Sequence, residues 1–357
     1  MVNSVLHHGA ASWADYNDDG LPDLLVASPS ELYVNEGAGN FRAVFDSGMS
    51  LAPTGGVGWA DYNNDGFLDV AMAVWQIEFR SSLRLFRGNG GGTFSLVTDE
   101  PMTLETGHTW SCAWGDYDND GHLDLYIGSY IAQKNLFLHN NGDGTFTKLL
   151  TGSPANDPGA AGGPCAWADY DNDGDLDLVV QNGARGKNFL YRNNGSDNGW
   201  LKVKLIGTVS NRAAIGAKVR VKAAIGGKTF WQLREISSGD GYSGNSLFAH
   251  FGLGNATMVE SIRIEWPSGI VQELSDVPGK QFLTVTEPPR LGPTVKSVDG
   301  MVELQVKSWL GFTYTIEATS NLKDWTRLGE DTNLTGTLRA PAPEALDPHR
   351  FFRLKVR

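Results

Sequence analysis

At 357 residues, 41% of them hydrophobic, the chain is long enough to bury ordinary cores in two or three domains. Its formal charge of −12 excludes a nucleic-acid binder built on a basic face. It holds no apolar run of the roughly 20 residues that a membrane-spanning helix needs.

The negative charge is concentrated. Residues 1–199 carry 26 Asp and Glu against 9 Lys and Arg, residues 200–287 carry 7 against 10, and residues 288–357 carry 8 against 10. The small positive surplus of the later segments is scattered and reads as a solvated surface. The 44 glycines fit many tight turns better than long helices. The start, Met-Val-Asn-Ser-Val-Leu-His-His-Gly, lacks the basic and then apolar stretch of a signal peptide. Open calcium loops of the kind described next usually need millimolar calcium, so a secreted or cell-surface location is expected, with the leader absent from this chain.

From Asp15 the chain writes one pattern four times, D-Y-[ND]-x-D-G-x-x-D, the other copies starting at Asp61, Asp116 and Asp169. Position 1 is Asp15, Asp61, Asp116 and Asp169. Position 3 is Asn17, Asn63, Asp118 and Asp171, and position 5 is Asp19, Asp65, Asp120 and Asp173. Position 9 is Asp23, Asp69, Asp124 and Asp177. Oxygens so spaced, with Gly at 6 to turn the backbone, are what a hard cation needs. The residue at 7 (Leu21, Phe67, His122 or Asp175) offers its carbonyl. Four calcium ions are expected, one per repeat, pinning the first two strands of each unit. Magnesium fits less well, because it demands a stricter octahedron and dehydrates reluctantly.

The loops begin 46, 55 and 53 residues apart, the period of a four-stranded propeller blade. In the third repeat the strands are predicted at Ser111–Asp116, Leu123–Ser129, Asn135–His139 and Thr145–Leu149, the last two joined by the turn Asn140-Asn-Gly-Asp-Gly144. The fourth repeat stops one strand short, and Val2–Leu6 is placed to complete it. A tryptophan stands two residues before each loop (Trp13, Trp59, Trp114, Trp167) between small neighbours, and a tyrosine at each position 2. Packing between units explains a ring repeated in every unit better than the alternative, an aromatic platform for carbohydrate. Cys112 and Cys165 each lie four residues before a loop. They read as small buried apolar residues, with a disulfide as the minority reading.

These motifs resemble the FG-GAP/VCBS family of integrin-like propeller repeats, over about residues 1–199. The resemblance implies calcium ligation at the loop positions named above. Full members often have seven blades, so it implies either a compact four-bladed ring or part of a larger propeller. Four blades are expected here.

After the break at Gly195–Trp200, strands are predicted at Leu201–Ile206, Ala217–Ala223, Lys228–Ile236, Leu247–Gly252, Val259–Trp266, Ile270–Leu274 and Gln281–Thr286. Asn211–Gly216 and the glycine-rich Ser237–Gly244 read as loops. The latter is a poor dinucleotide motif, because no helix follows it. Asn211-Arg-Ala-Ala-Ile-Gly-Ala-Lys-Val, Ser238-Gly-Asp-Gly-Tyr-Ser-Gly-Asn-Ser, His250-Phe-Gly-Leu-Gly and Ile264-Glu-Trp-Pro-Ser-Gly make residues 200–287 similar to the ASPIC/UnbV domain, which implies no agreed chemistry. A Pro-rich joint at Glu287–Pro293 leads to strands at Val302–Ser308, Thr313–Ala318 and Arg350–Val356. Residues 294–357 resemble a small β-sandwich module. The fold class is therefore all-β: a calcium-binding propeller, a β-rich second domain and a C-terminal sandwich-like module.

No catalytic residue is assigned. None of the seven histidines falls in a metal-ligand pattern; His250, near Asp240, Tyr242 and Ser243, has the strongest functional case. The side chain of His122 reads as exposed. The function expected is a calcium-stabilised extracellular binding or adhesion protein whose partner is a carbohydrate or an extracellular protein. The alternatives are a calcium-dependent polysaccharide lyase or glycosidase, built on a carboxylate pair, and a non-catalytic structural module.

Overall fold

A computed structural model describes residues 10–27, 30–49, 54–74, 83–98, 109–129, 135–152, 154–155, 163–182, 187–237, 239, 243–244, 246–289, 294–298, 301–305, 313–319, 323–332, 337–341 and 351–356. The region expected to complete the fourth repeat, Val2–Leu6, lies outside the described residues, as do Asp240 and Tyr242. Among the described residues every regular element is a strand.

The repeat region forms four antiparallel sheets in chain order. The first holds β1 (Ala11–Ala14), β2 (Asp23–Ala27), β3 (Ser30–Asn35) and β4 (Phe41–Val44). The second holds β5 (Thr54–Ala60), β6 (Asp69–Val74), β7 (Leu83–Gly88) and β8 (Phe94–Leu96). The third holds β9 (Thr109–Gly115), β10 (Asp124–Ser129), β11 (Leu136–Asn140) and β12 (Phe146–Lys148), close to the strands predicted from sequence. The fourth holds β13 (Cys165–Ala168), β14 (Asp177–Val180) and β15 (Phe189–Tyr191). One register recurs at each loop: Ala14 pairs Asp23, Ala60 pairs Asp69, Gly115 pairs Asp124 and Ala168 pairs Asp177. The acidic loop is thus the connection between the first two strands of every sheet.

Neighbouring sheets bury their faces against each other. Leu25 and Leu32 of the first sheet pack with Val70, Met72 and Phe86 of the second. Leu83 and Leu85 of the second pack with Leu125 and Ile127 of the third, and Tyr126 and Phe137 of the third with Trp167 and Leu178 of the fourth. Strands covered on both sides are apolar throughout, which is why β6 and β10 are buried at every residue, whereas Val179 in β14 is 43% exposed.

The loop aromatics join consecutive repeats as expected. Tyr16 stacks on Trp59 at 6.1 Å between centroids and Tyr62 on Trp114 at 5.8 Å. The indoles of Trp114 and Trp167 donate to the carbonyls of Gly58 and Ala113, one sheet back. Among the described residues no ring contact joins Tyr170 of the fourth repeat to Trp13 of the first, and both are about half exposed. Cys112 and Cys165 form no disulfide and are buried, in different inter-sheet cores.

The second unit comprises β16 (Gly199–Ile206), β17 (Lys218–Ile225), β18 (Lys228–Glu235), β19 (Ser243–Gly244), β20 (Phe248–Gly254), β21 (Met258–Glu265), β22 (Val271–Pro278) and β23 (Gln281–Thr286). Two sheets, β20-β16-β23 and β18-β17-β21-β22, enclose Leu201, Val203, Val219, Val221, Phe251 and Ile262. Glu287, fully buried, accepts hydrogen bonds from the backbone of Thr208, Val209 and Ser210 and from the Ser268 hydroxyl, so the chain is pinned before the proline joint. The two-residue β19 corrects the reading of 237–244 as loop alone: it pairs parallel with β13 and adds a strand to the fourth sheet. C-terminal to these, β24 (Thr294–Val298), β25 (Met301–Gln305) and β28 (Thr337–Pro341) form one antiparallel sheet. A second sheet is made of β26 (Thr313–Thr319), β27 (Thr326–Thr332) and β29 (Phe351–Val356).

A Cβ on Gly115 would sit 2.7 Å from the Trp167 indole. Gly115→Ala is therefore expected to cost about 1–3 kcal/mol, read as a lower urea midpoint. An unchanged midpoint would mean that the third and fourth sheets do not pack in this way.

Candidate metal loops

The four loops share one backbone. Position 4 is left-handed in each, with φ of 62° at Asp18, 56° at Asn64, 59° at Asn119 and 61° at Asn172, and the glycine at position 6 has φ between 86° at Gly20 and 96° at Gly174. Asp and Asn tolerate the first conformation and glycine suits the second. In the first three loops the carboxylate at position 1 accepts the amides of positions 5 and 6, at 3.0 Å from Asp19 and Gly20, 3.0 Å from Asp65 and Gly66, and 3.0 and 2.9 Å from Asp120 and Gly121. In the fourth, Asp169 accepts from Asp173 at 3.1 Å.

The carboxylate at position 9 ties the loop to the end of the third strand. Asp23 accepts from the Asn35 amide, Asp69 from Gly88, Asp124 from Asn140 and Asp177 from Asn193, all at 2.8–2.9 Å. All eight aspartates at positions 1 and 9 are buried, none more than 7% exposed. Burial, augmented by nearby aspartates, pushes Asp23, Asp61 and Asp124 up to about 7 and Asp69 and Asp116 well above the usual range. The second carboxylate oxygen of Asp23 is buried without a hydrogen-bond partner. A set of buried acidic oxygens of this kind fits a cation: charge this deep is stable only when paired or coordinated.

Three groupings among the described residues bring acidic or imidazole ligand atoms within 4.8 Å of one another and can coordinate a metal ion: Asp116 with Asp118 and Asp120, Asp118 with Asp124 and His139, and Asp169 with Asp171 and Asp177. They fall in the third and fourth loops. In the first two, position 3 is Asn17 or Asn63, whose amide donates at 2.8 Å to the carboxylate at position 5. At position 7, Leu21 and Phe67 are part-exposed, and the Asp175 side chain accepts from Asn119 at 2.8 Å.

Two histidines differ from their sequence reading. His139, on β11, places Nδ1 3.1 Å from Asp124 and 3.5 Å from Asp118, and its hydrogen bond to Asp124 raises its pKa to about 9. The signal was its place beside Asn140, since Arg192 holds the same place before Asn193 and reaches Asp171 at 2.8 Å. His122 is not simply exposed: its ring stacks on Phe230 of the second unit at 5.3 Å.

The second unit meets all four loops, which corrects the reading of its cations as a scattered, solvated surplus. The Lys218 ammonium lies 2.8 Å from Asp15 and also bonds Asp18. Lys202 lies 3.0 Å from Asp169, with both side chains buried. Arg220 donates to the Gly66 carbonyl at 3.2 Å. At the third loop the amides of Gly252 and Gly254 donate to the Asp116 carboxylate at 3.1 Å and the Asn119 carbonyl at 2.7 Å. Lys202 on β16 and Lys218 on β17 thus face aspartates rather than water.

Acidic loops repeated at sheet junctions, with a two-sheet β unit seated on them, define an all-β repeat protein with metal-binding motifs. The FG-GAP-like repeat family matches residues 15–72, 61–127 and 126–180, and the ASPIC and UnbV family matches residues 207–291. In this chain the matches to FG-GAP-like repeats precede the match to the ASPIC and UnbV family. It is similar to cartilage acidic protein 1 of Homo sapiens, Mus musculus and Xenopus tropicalis, 30% identical in each case over 165, 165 and 164 residues. The match takes in 43% of this chain and 24%, 25% and 25% of those relatives, so the chain spans about a quarter of the curated relatives' length. A solved glycoside hydrolase aligns over 98% of this chain at 11% identity, with a TM-score of 0.28, too low to carry an argument about fold or chemistry.

Removing one partner of a buried ion pair strands the other. Lys202→Met and Lys218→Met should each cost about 3–5 kcal/mol in calcium-free urea unfolding. Costs within error of zero would mean that the second unit does not seat on the loops.

Proposed function

We infer that the chain is a calcium-stabilised extracellular binding protein that recognises a carbohydrate or a protein ligand. Its four N-terminal sheets are the blades of a propeller within residues 1–199, followed by the ASPIC/UnbV domain at 200–287 and a sandwich-like module at 294–357. The observation that supports this best is the set of eight buried aspartates held in four loops of one geometry. Calcium is the hard cation suited to such oxygen-rich, flexible loops. Positions 1, 3, 5 and 9 would hold it through side chains and position 7 through its carbonyl. The ion would supply charge compensation, and with it folding free energy. Its job in this reading is structural, because each loop joins two strands and fastens a third. An extracellular setting follows from the millimolar calcium that open loops require, and the similarity to a cartilage protein agrees with it.

A ligand array of glycans and matrix proteins tests the reading. The full chain should be retained with calcium present, released by EDTA, and should leave the ligand unaltered. Retention that ignores EDTA would contradict the reading. New reducing ends or unsaturated sugars would contradict it too, in favour of a lyase or glycosidase.

A further inference from the structure

Consecutive loops are joined in chain order, and every joint falls on the same peptide. Asn119, position 4 of the third loop and fully buried, donates to the Gly174 carbonyl of the fourth loop at 3.2 Å and to the Asp175 carboxylate at 2.8 Å. Asn64, position 4 of the second loop, donates to the Gly121 carbonyl of the third at 3.2 Å and lies 3.2 Å from Nδ1 of His122. Position 4 of the first loop is Asp18, and an ionised carboxylate has no proton to donate. There Arg220 of the second unit stands in. Its guanidinium lies 3.6 Å from Asp18 and donates to the Gly66 carbonyl of the second loop at 3.2 Å. All three joints therefore end on the carbonyl of position 6.

That carbonyl belongs to the peptide between positions 6 and 7, whose N–H is also engaged. Phe67, His122 and Asp175 donate this N–H to the carboxylate at position 5 of their own loop, at 3.0, 2.8 and 3.0 Å. In the calcium reading, position 5 is a ligand through its carboxylate and position 7 through its carbonyl. One peptide plane thus carries the contact from the preceding loop to two ligand groups of the next. Hydrogen bonds in such a chain polarise and strengthen one another. The donor is aimed by its own loop, because Asn64 and Asn119 hold left-handed backbone, at φ of 56° and 59°. Without an ion the carboxylates of a loop repel one another and the loop loosens, so the aim of position 4 depends on the ion beside it.

We propose that Asn64, Asn119 and Arg220 are positioning residues that couple the four loops, so that filling one loop with calcium raises the affinity of its neighbours. This coupling rests on the calcium reading above and adds to it that the ions enter as a set. Linkage makes the effect reciprocal between neighbours. A single hydrogen bond of ordinary net strength is worth about fivefold in affinity at each joint. Through Arg220 the second unit forms part of the same circuit.

Calcium titration of the metal-stripped full chain, followed by calorimetry, tests the coupling through the shape of the isotherm. Coupled loops with a Hill coefficient of about 2 pass from 10% to 90% saturation within about ninefold in free calcium, against about 81-fold for equal independent sites. Asn64→Gly keeps the left-handed backbone and removes only the side chain. It should widen the range severalfold while the number of ions bound stays the same, and Arg220→Met should do likewise. A purely structural role would lower the melting temperature of both variants and leave the shape of the isotherm alone. Should Asn64→Gly fail to fold, Arg220→Met decides. Uptake over the wide range of independent sites, or a narrow range that neither variant changes, overturns the coupling and leaves the calcium reading standing. No uptake at all contradicts the calcium reading and removes the coupling with it.

Discussion

Eight carboxylates buried at the junctions of four sheets set the central constraint of this molecule. Each accepts backbone amides, which hold the loop in shape but supply no full positive charge. An apolar interior does not tolerate unpaired carboxylates at neutral pH, and burial answers by driving the pKa values of Asp23, Asp61, Asp69, Asp116, Asp124 and Asp177 upward. Two sources of cation meet the need. One side of the third and fourth loops brings together acidic oxygens that can hold a metal ion. The other side, at the first and fourth loops, is met by Lys218 and Lys202 from the second unit.

That division explains why the second unit lies where it does. Its core is apolar and self-contained between two sheets, so hydrophobic burial alone does not require it to sit on the repeats. Lysines on β16 and β17, amides at the end of β20 and the strand β19 beside β13 all address the repeat region. Inter-sheet packing, by contrast, is the work of aromatic rings handed from one repeat to the next. Where those rings turn inward, Trp13, Trp59, Trp114 and Trp167 line a single cavity.

The repeat loops were legible because four copies in phase convert a weak turn motif into a pattern with one physical explanation. The strands around them followed from alternation, and the buried thiols from the weak case that only two cysteines make for a disulfide framework. The seating of the second unit was not legible. In Leu201-Lys-Val-Lys-Leu205, alternation separates an apolar face from a polar one, but it cannot tell water from a wall of aspartates. Lys202 therefore looked like any solvated lysine. His139 escaped for a related reason: its partners are 15 and 21 residues earlier, brought near only by the hairpin register. The short strand β19 depends on a partner almost eighty residues back, and its own glycine-rich sequence has no strand signal. The tryptophans were read correctly as packing between repeats, but that reading did not show that four of them share a cavity.

Calcium uptake by the metal-stripped full chain tests the central claim most directly. Calorimetric titration should find about four ions per chain, as expected of one hard-cation site per acidic loop, together with a rise in melting temperature as the loops fill. No uptake, and a melting temperature indifferent to calcium, would contradict the account.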